Sequence, residues 1–208
     1  MNIYRFISVG YDLLDKIWLS EKGVDPREVI KRIIPDKKCR ILDMCCGTFS
    51  NGISVAKSKP ESLVIGLDRS RPMLREGKRK VKGAGLKNVK LLCRDAAKTG
   101  FKSGVFDYVI IGLVLHECTP ELWDGILNEA HRVLKNNGHL IILDWEMQHK
   151  IGKVLKFAPL RLAEVLNNPK YFNEFYRCDK RRFFDRFGFK TERYIRCNYT
   201  AVLSLVRK

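Results

Sequence analysis

Apolar and polar positions along this 208-residue chain follow two rhythms, one helical and one extended, and the switches between them mark its elements. Residues 3–18 place Ile3, Phe6, Ile7, Leu14, Ile17 and Trp18 at helical spacing, which predicts an amphipathic N-terminal helix. Asp25-Pro26-Arg27-Glu28 reads as an N-cap, a proline at the first helical position and a capping-box acid, opening a second short helix. From residue 39 strands and helices alternate. CRILDMC and SLVIGLD are strands separated by a helix near 50–59, residues 72–83 form a basic helix, and NVKLLCRD (88–95) is a third strand. FDYVIIGLV (106–114) is a continuous apolar run, as expected of a strand covered on both faces. Thr119 and Pro120 open a helix that carries Leu122, Ile126, Ala130, Val133 and Leu134 and closes at Gly138. GHLIILDWE (138–146) is a fifth strand. Segment 147–176 is helical but broken by Pro159 and Pro169, and 179–187 is a further helix.

The last two strands, FKTERYIRC (189–197) and YTAVLSLVRK (199–208), decide the topology. Parallel neighbours need a crossover of about a dozen residues or more, so strands joined this tightly are antiparallel. The expected architecture is therefore α/β: a doubly wound, Rossmann-like, seven-stranded and mostly parallel sheet with an antiparallel C-terminal hairpin. A nicotinamide-binding domain has no reason to end in that way. The chain is expected to be one domain, with a helical lid at 1–36, a core at 37–146, a helical insertion at 147–178 and a C-terminal helix and hairpin at 179–208.

Composition narrows this picture without redrawing it. Hydrophobic content of 45% and charged content of 30% are ordinary for a folded globular chain. The longest apolar run, VIIGLVL (109–115), is far too short for a membrane span, and the N-terminus lacks the basic flank and apolar stretch of a signal peptide. A cytoplasmic location is expected. The seven cysteines are scattered, with no C-x-x-C pair and no His/Cys cluster, which argues for buried thiols in a reducing compartment and against a metal site. A thiol function for adjacent Cys45 and Cys46 is the sharper alternative.

Net charge is +17, concentrated in residues 69–90 and 178–196. Such patches are either solvated helix faces or attractors of nucleic acid, an anionic membrane surface or an anionic acceptor.

The chemistry concentrates in CRILDMCCGTFSNGIS (39–54) and VIGLDRS (64–70). A strand enters a tight turn and then a helix, and a second strand ends on Asp68, 21 residues beyond Gly47. Small turn residues let backbone N–H groups approach a ligand, and the acid accepts hydrogen bonds from ribose hydroxyls, so the layout builds an adenosine pocket.

These features resemble the class I S-adenosylmethionine-dependent methyltransferases across roughly residues 38–208, and within them the branch of ubiquinone/menaquinone-biosynthesis enzymes. The turn D-M-C-C-G-T is similar to that family's D-x-[small]-C-G-T, and NEAHRVLKNNGHLIILD to its helix, Gly turn and fifth strand. The resemblance implies that Asp43, Cys45 and Gly47 line the methionine part of the cofactor. It likewise puts Asp68 on the ribose with Arg69 beside the adenine, Asp95 and Ala96 at the adenine ring, and Leu113 near the cofactor. Tyr11-Asp12-Leu13-Leu14 is similar to the family's lid segment. The cofactor would be S-adenosylmethionine and the product S-adenosylhomocysteine. Where the family shows G-x-G-x-G, this chain has Cys45, Gly47 and Phe49, and the phenyl ring either turns into the helix start or shapes the pocket.

Methyl transfer from a sulfonium disperses charge, so the protein must chiefly align the acceptor and exclude water. Acceptor groups are expected from the carboxyl ends of the fourth and fifth strands and whatever covers them: His116 and Glu117, then Asp144, Trp145 and Glu146, with Tyr11 and Trp18 from the N-terminal helix and the 147–176 segment. His116 is the candidate general base, since it titrates near neutrality and follows strand four directly; the plainer reading is a structural histidine. A small or lipophilic acceptor leads. RNA is the runner-up, although no Asn/Asp-Pro-Pro-Tyr-type motif follows strand four, and a non-catalytic cofactor-binding protein is a third reading.

Overall fold

The computed structural model describes residues 24–148, 151–167 and 169–208. The N-terminal amphipathic helix and its Tyr11 and Trp18 lie outside the described residues.

The first described helix, α1 (Pro26–Ile33), opens as the sequence predicts, with Asp25 accepting a hydrogen bond from the Arg27 amide and Pro26 inside the first turn. Glu28 closes no capping box; it pairs with Lys31 on the exposed face instead. Strand β1 (Arg40–Met44) leads to α2 (Ser50–Ser58), β2 (Leu63–Asp68) to α3 (Arg71–Gly83), and β3 (Val89–Cys93) is followed by β4 (Phe106–Gly112). A short 3₁₀ turn (Leu115–Glu117) then precedes α4 (Pro120–Val133) and β5 (Leu134–Trp145). Helices α5 (Ile151–Asn167), α6 (Pro169–Arg177) and α7 (Lys180–Asp185) lead into the hairpin of β6 (Phe189–Arg196) and β7 (Thr200–Arg207).

The seven strands form one sheet in the order β3-β2-β1-β4-β5-β7-β6. The first five pair in parallel, whereas β7 is antiparallel to both β5 and β6, so the hairpin lies where its tight connection predicted. Strand alternation assigns each face its own core. Ile141 and Leu143 of β5 join Val29 and Ile30 of α1 and Val55 of α2 on one side. Leu140 and Ile142 join Trp123, Leu127 and Val133 of α4, Phe175 of α6 and Phe183 and Phe184 of α7 on the other. Strand order reverses between β1 and β4, and the carboxyl ends of the parallel strands converge there on a single edge.

Three boundaries depart from the pattern. Leu134, which fits the helical rhythm of α4, is the first residue of β5 and pairs with Phe106, and the turn at Asn137 (φ 60°) and Gly138 is absorbed as an irregularity of that strand. Strand β4 stops at Gly112 rather than running to 114, because Leu113 adopts a left-handed conformation (φ 54°). Pro159 lies inside α5 without ending it, whereas Pro169 opens α6.

Candidate active site

The loop after β1 takes its shape from alternating backbone handedness. Cys45, Gly47 and Phe49 all have positive φ (55°, 52° and 65°), a conformation that only glycine adopts without strain. What holds the other two residues is a set of bonds across the β1–β2 edge. The Cys46 amide donates to the Leu67 carbonyl (2.9 Å), and the Gly47 amide donates to Asp68 Oδ2 (2.8 Å). Asp68 Oδ1 accepts from the Ser70 amide (2.7 Å), so one carboxylate fastens the loop to the start of α3. Asp43 lies beneath, buried, accepting from the Gly52 amide of α2 at 3.0 Å. Burial lifts its carboxyl to about 7, with the nearby Asp68 charge adding to the rise and the Gly52 N–H opposing it.

Phe49 points away from the mouth of this loop. Its ring is fully buried against Gly52 of α2 and Gly66 of β2, where an added β-carbon would fall 1.9 and 2.5 Å from ring atoms. Gly77 of α3 closes the same space from a third side. The phenyl group is thus a floor under the loop, and the space above Gly47 stays clear: a β-carbon there would meet nothing within 4 Å. Two glycines inside regular elements, at 52 and 66, were the signal in the sequence that something bulky approaches them.

At the neighbouring strand ends, the Arg94 amide donates to the Asp68 carbonyl (3.1 Å), which brings Asp95 and Ala96 beside the Asp68 loop. Asp95 is exposed and accepts from the Ala97 amide (2.8 Å), Ala96 is buried, and the Arg69 side chain is exposed. Glu129 of α4 holds the following turn by accepting from the amide (2.9 Å) and hydroxyl (2.5 Å) of Thr99, and an ion pair with Arg132 keeps its carboxyl at about 2. Cys45 and Cys46 line the loop, but burial pushes both thiols well up, which removes the thiolate that a redox or nucleophilic role requires. Lys80 reaches back from the basic helix α3 to the hydroxyl of Thr48 (2.9 Å), a contact the sequence did not suggest.

Across the edge, His116 and Asp144 form a buried pair, Nδ1 to Oδ1 at 2.7 Å. Both side chains are 3% exposed. Asp144 Oδ1 also accepts from the Trp145 amide (2.8 Å), and Glu117 approaches His116 Nε2 at 3.8 Å from a half-exposed position. The 3₁₀ turn that carries His116 is pinned by the Trp123 indole N–H, which donates to the Leu115 carbonyl (2.7 Å). Leu113 is tied to β5 by its amide, which donates to Leu143 (2.7 Å). Asp144, expected at the acceptor, is therefore first a partner of the histidine. Trp145 is likewise no open platform: it is 7% exposed, in a cluster with Phe157, Phe172, Tyr176 and Tyr199. His116 meets this cluster edge-on at Phe172, with ring centroids 5.7 Å apart.

Of the expected acceptor-side groups, Glu146 and Met147 and Tyr176 of the 147–176 segment line a cavity of about 610 Å³, where Glu146 accepts from the Tyr194 hydroxyl and from Arg196 (3.0 Å) beside Lys180; among the described residues the other expected site residues lie outside it. The basic run on α3 places Arg71, Arg75 and Lys78 along a second groove of about 450 Å³. Among the described residues no group of His, Cys, Asp or Glu could hold a metal ion, and no helix is long and apolar enough to cross a membrane.

The strand order and the antiparallel hairpin define the Rossmann-like α/β fold that solved S-adenosylmethionine-dependent methyltransferases share. Residues 41–138 match the family described as a methyltransferase domain. The chain is similar in sequence to demethylmenaquinone methyltransferases. It is 38% identical over 145 residues to the demethylmenaquinone methyltransferase of Geobacillus kaustophilus, covering 69% of this chain and 61% of that protein. The demethylmenaquinone methyltransferase of Listeria welshimeri matches to the same extent. The match thus spans about three fifths of the length of these curated relatives. Among solved structures, a SAM-dependent methyltransferase from Aquifex aeolicus superposes with a TM-score of 0.70 at 19% identity, covering 98% of both chains, which is a likeness of fold.

Proposed function

We propose that this chain is an S-adenosylmethionine-dependent methyltransferase acting on a small lipophilic acceptor of the quinone or quinol class. The observation that carries the reading is the loop at 45–49: its backbone is bonded to Asp68, and its one bulky side chain is turned into the core, so the face over Gly47 stays clear. That cradle suits the cofactor. Asp68 retains lone pairs for a ribose diol beyond the two amides it serves, since a carboxylate offers about four acceptor positions. Gly47 and Cys45 would border the amino-acid tail, Asp95 and Ala96 the adenine, with Arg69 at its rim and Leu113 along the opposite wall.

When bound, the cofactor supplies an electrophilic methyl group on a sulfonium. The chain's own task is to hold the acceptor in line, keep water out and take a proton. A hydroquinone becomes carbon-nucleophilic when its hydroxyl is deprotonated. With Nδ1–H donating to Asp144, the basic nitrogen of His116 is Nε2, and the buried carboxylate stabilises the imidazolium that forms. Asp144 is thus a positioning residue and His116 the base. The aromatic cluster behind them keeps the surroundings dry and apolar, as a quinone ring requires. The names of the relatives support a quinone acceptor for this chain and lend nothing to RNA.

Calorimetry with S-adenosylhomocysteine, followed by mass spectrometry of a demethylated naphthoquinol incubated with S-adenosylmethionine, tests the reading. Binding and a 14 Da gain on the quinol are expected for transfer of one methylene equivalent. Absence of nucleotide binding would remove the enzymatic account, and binding without transfer would remove the acceptor.

A further inference from the structure

A helix packed on a core ordinarily turns its apolar stripe inward. Helix α5 does the reverse. Among its described side chains, the inward ones are Lys153, Phe157 and Arg161. Phe157 is 1% exposed and stacks on Tyr199, Lys153 lies over the Tyr199 ring and donates to the Asn198 carbonyl (3.2 Å), and Arg161 lies over the Tyr176 ring. The outward residues are Ile151 (79% exposed), Val154 (39%), Leu155 (68%), Ala158 and Leu162 (60%). At about 100° per residue these five fall within a single arc of roughly 100°. Met147, 40% exposed, continues the apolar surface towards β5. Scattered exposed leucines are ordinary, but a continuous stripe on one helix marks a surface that something covers.

We propose that this outer face of α5 docks on an anionic lipid bilayer, from which a lipophilic acceptor reaches the site. The inference rests on the quinone-type reading above. Charge complementarity selects a bilayer as the occupant: the chain carries +17, and exposed Arg177 of α6 and Arg181, at the start of α7, line the same cleft as Met147 at the end of the stripe. Apolar residues on one face with cations beside them are the pattern of a helix that lies in the plane of the headgroups. No helix among the described residues, α5 included, is long and apolar enough to cross a membrane, so α5 would lie on the surface. Continuity with the site is the second argument. Phe157, on the inner side of the same helix, packs on Trp145 (centroids 5.4 Å apart), and Trp145 borders His116. The helix that faces the bilayer thus also roofs the aromatic wall of the His116–Asp144 pair.

Flotation of the full chain with vesicles of phosphatidylcholine, with and without phosphatidylglycerol, tests the proposal. Binding to the anionic vesicles is expected, and the variant Ile151→Glu/Leu155→Glu should lower it about tenfold or more. Its melting temperature and its affinity for S-adenosylhomocysteine should match the wild type, as expected of side chains that face solvent. The milder Leu155→Gln gives the same readout with smaller amplitude. The proposal is overturned if the wild type ignores anionic vesicles at low salt, or if the double variant binds them equally well. It is also overturned if the double variant melts markedly earlier, which would mean that the chain itself covers the stripe. A dimer that the two substitutions separate would overturn it as well, by assigning the face to a second copy. Neither acceptor nor cofactor is present in the flotation, so its failure and a failure of methyl transfer are separate results.

Discussion

Truncation of Phe49 measures how the cofactor loop is supported. The ring is fully buried, and its neighbours at 52, 66 and 77 are glycines with no side chains to refill the space. Phe49→Ala should therefore fall in the upper part of the range for such changes, about 4–5 kcal/mol, because the site cannot collapse. Backbone geometry adds a second, discriminating term. At φ 65° any residue but glycine is strained by about 1 kcal/mol, so Phe49→Gly removes the same ring and relieves that strain. Glycine should thus be less harmful than alanine by about 1 kcal/mol, the reverse of the usual order. Guanidinium denaturation followed by circular dichroism gives both numbers. A third variant closes the argument: Gly52→Ala alone drives a methyl to 1.9 Å from the ring, whereas in the Phe49→Ala background it enters vacated space. The pair should be non-additive by about 1–3 kcal/mol in the favourable direction. Costs below about 1 kcal/mol for both truncations, or glycine worse than alanine, would refute the reasoning. Tighter binding of S-adenosylhomocysteine by Phe49→Ala would refute it too, since it would place the ring in the cofactor's way.

Further outcomes follow from the site. Asp68→Asn keeps one acceptor but turns an amide towards the Gly47 or Ser70 N–H, and should weaken S-adenosylhomocysteine binding by about 1.5–3 kcal/mol in calorimetry; unchanged affinity would sink the ribose assignment. His116→Gln should lower methyl transfer by about 10²–10⁴-fold with nucleotide affinity intact, and Asp144→Asn should lower it while displacing the pH–rate profile. Asp43 supplies a pH dependence of stability. Its folded carboxyl is raised to about 7 from an ordinary value near 3.9, so the folded chain holds the extra proton between those values. The stabilisation is complete below about pH 4 and is lost as pH rises towards 7, up to about 4 kcal/mol in all. Asp43→Asn keeps an acceptor for the Gly52 amide and should flatten that slope in denaturation curves.

Much of the fold was legible because its signals are local. The continuous apolar run of β4, the caps at Asp25 and Thr119, and the tight connection of the hairpin each act over a few residues. What misled the pattern was competition between neighbours. Leu134 satisfies a helical period, yet a partner at Phe106, 28 positions away, draws it into the sheet. Leu113 is a good strand residue, but the chain must turn there to bring His116 over β5.

The same division runs through the candidate site. Residue types and their order along the chain determined by themselves that a strand would enter a small-residue turn facing the acid that ends the next strand, and that a closing hairpin would run antiparallel. Only the tertiary structure decided where Phe49 points, that Asp144 serves His116 before any acceptor, and that the apolar stripe of α5 faces outward. The physical reason is range: periodicity and turn chemistry are fixed by covalent neighbours, whereas the direction of a ring, the partner of a carboxylate and the covered side of a helix depend on elements the chain supplies tens of residues away.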